Sequence, residues 1–291
     1  MLSPAPRETQ AAVTAGRPGP AMGSSGSVRV EGARAAADGR LSAVSWQLPE
    51  EVPVALLINS VPYTVMMASP LNLAEFGRGF LLAEGIVRSN SDIRSALVLP
   101  AETGSDVTRG FAVDLAVDEA ALARAAPRRS VEGRSGCGLC GIEQITDAVR
   151  APFRLARDWA PAPDAILAAA AALPAAQILN RDNRSVHGAA WVSRDGDIVL
   201  IREDVGRHNA LDKLIGALAA RDTDLDAGFV LMTSRCSFEL VQKAATFGIK
   251  ALVTISAPTS LALELARGYG LYLASLDLSK RGGGGVVQFN L

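Results

Sequence analysis

Cys137 and Cys140 stand in the run Gly136-Cys137-Gly138-Leu139-Cys140-Gly141, and no other segment places two thiols so close together. Thiol chemistry runs through the thiolate, whose population depends on the local field. Arg124, Arg128, Arg129 and Arg134 precede the pair against a single acid, Glu132, and the pattern from Ile142 to Val149 predicts a helix. Neighbouring cations and a helix N-terminus both lower a thiol pKa. The three glycines let the backbone approach a partner closely, whereas a packing role would favour apolar neighbours.

Three chemistries fit such a pair. A zinc site takes four ligands, and the other candidates, His187, His208 and Cys236, are scattered along the chain. A thioredoxin-type dithiol directly follows a strand in a small βαβ unit, but here an Arg- and Gly-rich stretch precedes it. A persulfide carrier needs a thiolate that can meet both a sulfur donor and a sulfur acceptor, and the Gly-flanked, electropositive surroundings suit it best. Cys236 falls at an expected strand-to-helix turn and reads as a small packing residue. His187, in Ser185-Val186-His187-Gly188, has no partner nearby in sequence; a structural hydrogen-bonding role and a site role stay open.

A second group of candidates depends on the fold of the C-terminal third. Segments 189–193 and 198–203 flank Arg194-Asp195-Gly196-Asp197, an Asp-Gly turn. Strand-like runs then begin at Phe229, Ala251 and Leu271 and alternate with helices at about 208–220, 237–247 and 259–267, the last two closed by Gly248 and Gly268. This alternation predicts a mainly parallel sheet with flanking helices. Ligands of such sheets sit beyond the carboxyl ends of the strands. Asp204, Gly206, Arg207 and His208, then Ser234 and Arg235, then Ser256 and Thr259, and finally the segment from Leu276 to Arg281 fall at those ends. Ser234, Ser256 and Thr259 serve equally well as turn and cap residues. Arg207 and Arg235 favour an anion such as a phosphate, because a guanidinium offers a bidentate fork.

The elements upstream are less regular. Segments 52–58 and 63–67 read as strands joined by a turn over 59–62. Asn72 and Glu75 have the spacing of a capping box, and Gly85 can close the helix between them in a left-handed turn. Residues 111–117 read as another strand. More than half of positions 1–40 are Ala, Gly, Pro or Ser, with no sustained apolar run, which predicts disorder. The organisation expected is a disordered extension over 1–43, an N-terminal α+β part over 44–150 ending in the cysteine loop, an Ala/Pro-rich connection over 151–180, and a C-terminal α/β domain over 181–291.

With 49% hydrophobic and 20% charged residues, the 291-residue chain can bury a sizeable core. A net charge of −1 lacks the basic footprint of non-specific nucleic-acid binding. The longest apolar stretch, 165–179, contains Pro174 and is too short to span a bilayer. Three cysteines make a poor disulfide framework and no signal-type apolar run is present, so cytoplasmic residence is expected.

The cysteine run from Gly133 to Gln144 resembles the signature loop of the formate dehydrogenase accessory sulfurtransferases, the FdhD family. Arg202-Glu203-Asp204-Val205-Gly206-Arg207-His208-Asn209-Ala210-Leu211-Asp212-Lys213 is similar to a second motif of that family, Thr233-Ser234-Arg235-Cys236-Ser237-Phe238-Glu239 to a third, and Ser256-Ala257-Pro258-Thr259 to a fourth. The helix Phe76-Gly77-Arg78-Gly79-Phe80-Leu81-Leu82-Ala83-Glu84-Gly85 fits as well. The likeness runs in order from about Val52 to the end.

The resemblance implies a cytoplasmic sulfur carrier with a cytidine-deaminase-like C-terminal domain. It implies that sulfur comes from a cysteine desulfurase as a cysteine persulfide, and passes to the molybdenum cofactor Mo-bis(molybdopterin guanine dinucleotide) before insertion into formate dehydrogenase. Carried over residue by residue, Cys137 matches the persulfide-forming cysteine and Cys140 its partner. Leu276, Asp277, Leu278, Ser279, Lys280 and Arg281 match the cofactor-binding stretch, and a homodimer is implied. No metal of its own is expected, and no partner among nucleic acids or membranes. Deaminase chemistry does not follow, since it needs His-x-Glu and Pro-Cys-x-x-Cys, whereas Ala189 stands two after His187 and Gly136 precedes Cys137. The reading from another class is a non-catalytic chaperone for the cofactor or apo-enzyme, with a structural zinc at the cysteines.

Overall fold

Alternating apolar residues build a hairpin within a stretch whose average composition predicts disorder. The computed structural model describes residues 25–104, 109–124, 153–277 and 285–290. Within it β1 (Ser27–Ala35) pairs antiparallel with β2 (Leu41–Pro49). Val28 lies opposite Leu48, Val30 opposite Trp46 and Gly32 opposite Val44, so one face of the ribbon is apolar. Over residues 27–43 the expected disorder is therefore corrected: a period-2 pattern vanishes when composition is averaged.

A four-stranded sheet follows, in the order β4 (Val61–Ala68), β3 (Val52–Ile58), β6 (Gly110–Val117), β5 (Ile93–Ala101). Asn59 and Ser60, both at positive φ, make the two-residue turn between β3 and β4. The sequence reading did not anticipate β5, which contains Pro100. An edge strand tolerates that proline because one side of it needs no ladder hydrogen bonds.

Helix α1 (Leu73–Ala83) lies on this sheet and buries Leu73, Phe76, Leu81 and Leu82. Gly85 takes the left-handed conformation expected of it, at φ 64°. The expected capping box does not form: Asn72 is itself left-handed and makes no cap bond, and Glu75 instead pairs with Arg202. After α2 (Glu119–Arg124), the description resumes in the expected connection, where α3 (Pro163–Ala176) and α4 (Ile178–Asn183) are helical. Alanine has the strongest helix propensity, and Pro163 occupies the first turn, where its missing N–H costs nothing.

The second sheet has six strands in the order β12 (Gly285–Gln288), β11 (Tyr272–Asp277), β10 (Ala251–Thr254), β9 (Gly228–Met232), β7 (His187–Ser193), β8 (Ile198–Asp204). Only β9–β10 and β10–β11 pair in parallel. The sheet is thus mixed rather than mainly parallel, because β7 is bonded by the β8 hairpin on one side and runs antiparallel to β9 on the other. Helices α5 (Arg207–Ala220), α6 (Phe238–Phe247) and α7 (Ser260–Tyr269) follow β8, β9 and β10. The last ends at Gly270, φ 70°, two positions beyond the glycine expected to close it.

One apolar core joins the two sheets. Val54, Leu56 and Val113 from the first, Phe76 from α1, Leu214 from α5, Leu240 from α6 and Val230 from the second belong to the same buried cluster. Residues of the opposite parity, such as Ala190, Leu231 and Val253, pack with Ile166 and Leu173 of α3 on the far face. Where α1 crosses α5 the backbones touch. A Cβ on Gly79 would lie 1.7 Å from the carbonyl oxygen of Asp212, and one on Gly216 would lie 1.9 Å from that of Glu75.

Candidate functional site

Five strands and the start of α5 converge on one edge of the six-stranded sheet. Across the sheet order, that edge presents Asp277 at the end of β11, Ser256 after β10, Ser234 and Arg235 after β9, His187 at the start of β7, and Asp204 with Arg207 after β8. His187 reaches the same edge because β7 runs opposite to β9, and it lies opposite Asp204 in the ladder. Neighbouring strands are about 4.8 Å apart, so the ends of β8 and β9, after which Arg207 and Arg235 follow, are two strand steps, about 10 Å, apart.

Arg207 is half-buried on the first turn of α5 and Arg235 is exposed. Among the described residues neither guanidinium has a hydrogen bond or an ion pair. His187 is half-buried, and burial, then Arg207, then His208 hold its pKa below the ordinary histidine value. Its imidazole is therefore neutral at pH 7, and the positive charge of this edge comes from the arginines. Beside it, Thr233 Oγ1 accepts a hydrogen bond from Gly188 N at 2.8 Å, locking the ends of β7 and β9 together. Thr254 Oγ1 and Ser275 Oγ both donate to the Ser256 carbonyl, at 2.7 and 3.1 Å, fixing the turn after β10. Farther along, a groove of about 340 Å³ opens between α3 and the ends of β10 and β11, lined by Leu167, Ala170, Ala171, Ile255, Leu276 and Asp277.

Beneath the edge lies a layer of paired charges. Asp204 and Lys213 are fully buried and 2.6 Å apart. Burial pushes the Lys213 ammonium below its ordinary pKa, opposed chiefly by Asp204. Lys243 donates to both oxygens of Asp212 at 2.9 Å and sits 3.0 Å from Glu84, while its ammonium lies over the Phe80 ring. Burial raises Asp212 to about 6 in spite of that partner. For Lys243 the two carboxylates outweigh burial and hold it charged. Glu75 takes a forked pair of hydrogen bonds from Arg202. Each of these three clusters ties the N-terminal sheet or α1 to the C-terminal sheet or its helices.

The sequence reading missed Ser69, Glu84, Asp212, Lys213 and Lys243 as functional supports. A signal for two of them was present: Asp212 and Lys213 are charged positions in a helix whose residues from His208 to Ala219 are all buried, and a buried charge requires a partner. Cys236 is fully buried, and burial pushes its thiol up to about 12, so it is protonated at neutral pH. It packs as the sequence suggests. His208 lies 3.4 Å from Ser237 Oγ and 3.7 Å from Glu239.

Of the candidate site residues, Arg207, Arg235, Leu276 and Asp277 share the edge, with Leu276 nearly buried as the penultimate residue of β11. Cys137, Cys140, Leu278, Ser279, Lys280 and Arg281 lie outside the described residues. Among the described residues no group of three His, Cys, Asp or Glu side chains could hold a metal ion, and no helix is long and apolar enough to cross a membrane.

Fold and site define an α/β protein in which two mixed sheets enclose a helical layer and one strand-end edge presents unpaired cations. The chain belongs to the FdhD/NarQ family, whose model matches residues 49–281. It is similar to the sulfur carrier protein FdhD of Cupriavidus necator, 44% identical over 78% of this chain and 77% of that one. The corresponding protein of Chromobacterium violaceum is 47% identical over 79% and 84% of the two chains. The fold matches the crystal structure of a formate dehydrogenase accessory protein from Desulfotalea psychrophila, with a TM-score of 0.68 and 23% identity over 91% of this chain and 97% of that one.

Proposed function

We propose that this protein is a sulfur carrier that serves formate dehydrogenase. Cys137 accepts sulfur from a cysteine desulfurase as a persulfide, and Cys140 is its partner thiol. The Cys140 thiolate then attacks the inner sulfur of the Cys137 persulfide and closes a disulfide, so that the outer sulfur passes at the sulfide level to the molybdenum cofactor, Mo-bis(molybdopterin guanine dinucleotide), before that cofactor enters the enzyme. A cellular thiol reduces the disulfide again. The cofactor is substrate here, held by the strand-end edge through Arg207 and Arg235 and by the stretch from Leu276 to Arg281. The protein works in the cytoplasm as a homodimer, and its six-stranded sheet is of the cytidine-deaminase-like kind.

The observation that carries this reading is the pair of unpartnered arginines on an edge whose other charges are paired beneath it. Cations held without a protein counter-ion are matched by a phosphate-bearing ligand. The names of the relatives support the sulfur chemistry. Cys236, buried and protonated, is unsuited to it, which leaves the Cys137–Cys140 pair.

The sulfur step balances simply. The desulfurase persulfide gives up its outer sulfur to the Cys137 thiolate, forming the Cys137 S–S bond and regenerating the enzyme's own thiolate. Incubation with a cysteine desulfurase and cysteine, followed by intact-mass spectrometry, should add one sulfur atom to the wild type and none to Cys137→Ala. Equal loading of both proteins would remove Cys137 from this role.

A further inference from the structure

We infer that Asp204 is a positioning residue for the ligand edge: it sets the direction of Arg207, and the main chain at the end of β4, in the other sheet, sets Asp204. This inference rests on the anion-binding reading of the edge.

Asp204 is the last residue of β8 and is fully buried. Its Oδ1 accepts from Gly206 N at 2.8 Å and from Asn209 Nδ2 at 2.9 Å. Its Oδ2 accepts from Ser69 N at 3.0 Å and lies 2.6 Å from Lys213 Nζ. Two of these four donors therefore come from the turn and the first helical turn that carry Arg207. The other two anchor the carboxylate to Ser69, directly or through Lys213, whose ammonium also donates to Ser69 O at 2.9 Å. Ser69 Oγ accepts from Val205 N at 3.2 Å, and Asn209 Nδ2 donates to Met67 O at 2.8 Å. Every residue between the strand and Arg207 is thus tied to this carboxylate or to Ser69.

Arg207 has no such tie of its own, so the backbone that bears it decides where its guanidinium points. A carboxylate has two acceptor oxygens and serves all four donors, whereas an amide has one oxygen and two N–H donors. Neutralising Lys213 together with Asp204 balances the charge but does not restore the ties that hold the turn. An ångström of misplacement is enough to lose most of a phosphate contact.

The test uses the full chain, guanosine diphosphate as probe and calorimetry as readout, with thermal unfolding beside it. The variant Asp204→Asn/Lys213→Met removes both buried charges together, and so recovers the stability that Asp204→Asn alone loses by stranding the Lys213 ammonium. A purely structural pair predicts recovered stability and recovered binding. Positioning predicts recovered stability with the nucleotide bound at least about fivefold more weakly, since geometry and not charge balance has been lost. Binding within about twofold of wild type at recovered stability would overturn the inference.

Should that variant fail to fold, Asn209→Ala decides the question, because it keeps both charges and removes one tie. It should weaken binding about threefold in the wild type and not at all in an Arg207→Ala background, the signature of two residues acting as one unit. Equal losses in both backgrounds contradict the inference. If Arg207→Ala alone leaves binding unchanged, the reading of the edge falls and this inference falls with it. If Arg207→Ala weakens binding while the Asp204 and Asn209 variants do not, only the positioning role fails.

Discussion

The charges around the strand-end edge divide into a buried layer and an outer one. Lys213, Lys243 and Arg202 are each locked to a carboxylate at 3.0 Å or less. Arg207 and Arg235, at the strand ends above them, are bound to nothing among the described residues. One short motif, from Arg202 to Lys213, contributes to both layers. Its buried members hold the helix and the turn, and Arg207, half-buried, pairs with none of them. The proposed ligand site rests on these two cations, left unpaired beside such well-paired neighbours.

The contrast breaks most visibly in the buried layer. Lys243→Met leaves Asp212 and Glu84 facing each other without their cation, and should cost about 3–5 kcal/mol in urea unfolding. A loss under about 1 kcal/mol would mean that the buried charges are not coupled as their geometry indicates. Arg207→Ala and Arg235→Ala should do the reverse. Each leaves stability within about 0.5 kcal/mol of wild type but weakens guanosine diphosphate binding by about 1.5–3 kcal/mol, roughly 10- to 150-fold. Destabilisation by either arginine variant without loss of binding would dissolve the distinction between the layers.

Gly79→Ala probes the joint between the sheets. A Cβ 1.7 Å from the Asp212 carbonyl must push α1 from α5, at about 1–3 kcal/mol. Circular-dichroism melts of that variant should show the loss, and an unchanged melt would refute the backbone contact.

The subtlest effect is one of slope with pH. The Asp212 pKa is raised from 3.8 to about 6 on folding, so its contribution is full below pH 4 and is lost as pH rises to about 6. Glu239 is lowered from 4.5 to about 2, where the neighbouring His208 and Ser237 outweigh burial. Its contribution has the opposite sign: present above pH 4.5, it is lost as pH falls toward 2. In denaturant titrations Asp212→Asn should flatten the limb between pH 4 and 6, and Glu239→Gln the limb below 4.5. If each variant altered the other's limb, the assignments would be exchanged.

Much of this edge was legible in the sequence because strand ends and helix starts carry local signals. Arg207 and Arg235 sit next to the Gly and Ser of their turns, and the helices over 207–220 and 238–247 match their apolar spacing. The mixed character of the sheet is not legible in the sequence, since hairpin partners and crossovers share the same strand pattern until the order of β7 and β9 is known. The capping box at Asn72 failed because Glu75 found Arg202, 127 positions away, a competition no local motif reveals. The Asp204–Ser69 tie was invisible for the same reason. The strand over 93–101 was hidden by a proline that only an edge position tolerates.

In the proposed function sulfur rides on Cys137 while Cys236, in the packed core, takes no part. Peptide mapping after loading by a cysteine desulfurase, with an alkylating probe to trap persulfides, addresses it directly. The extra sulfur is expected on the peptide that carries Cys137, with Cys140→Ala still loading and Cys236→Ala indistinguishable from wild type. A persulfide found on Cys236, or confined to Cys140, would contradict it.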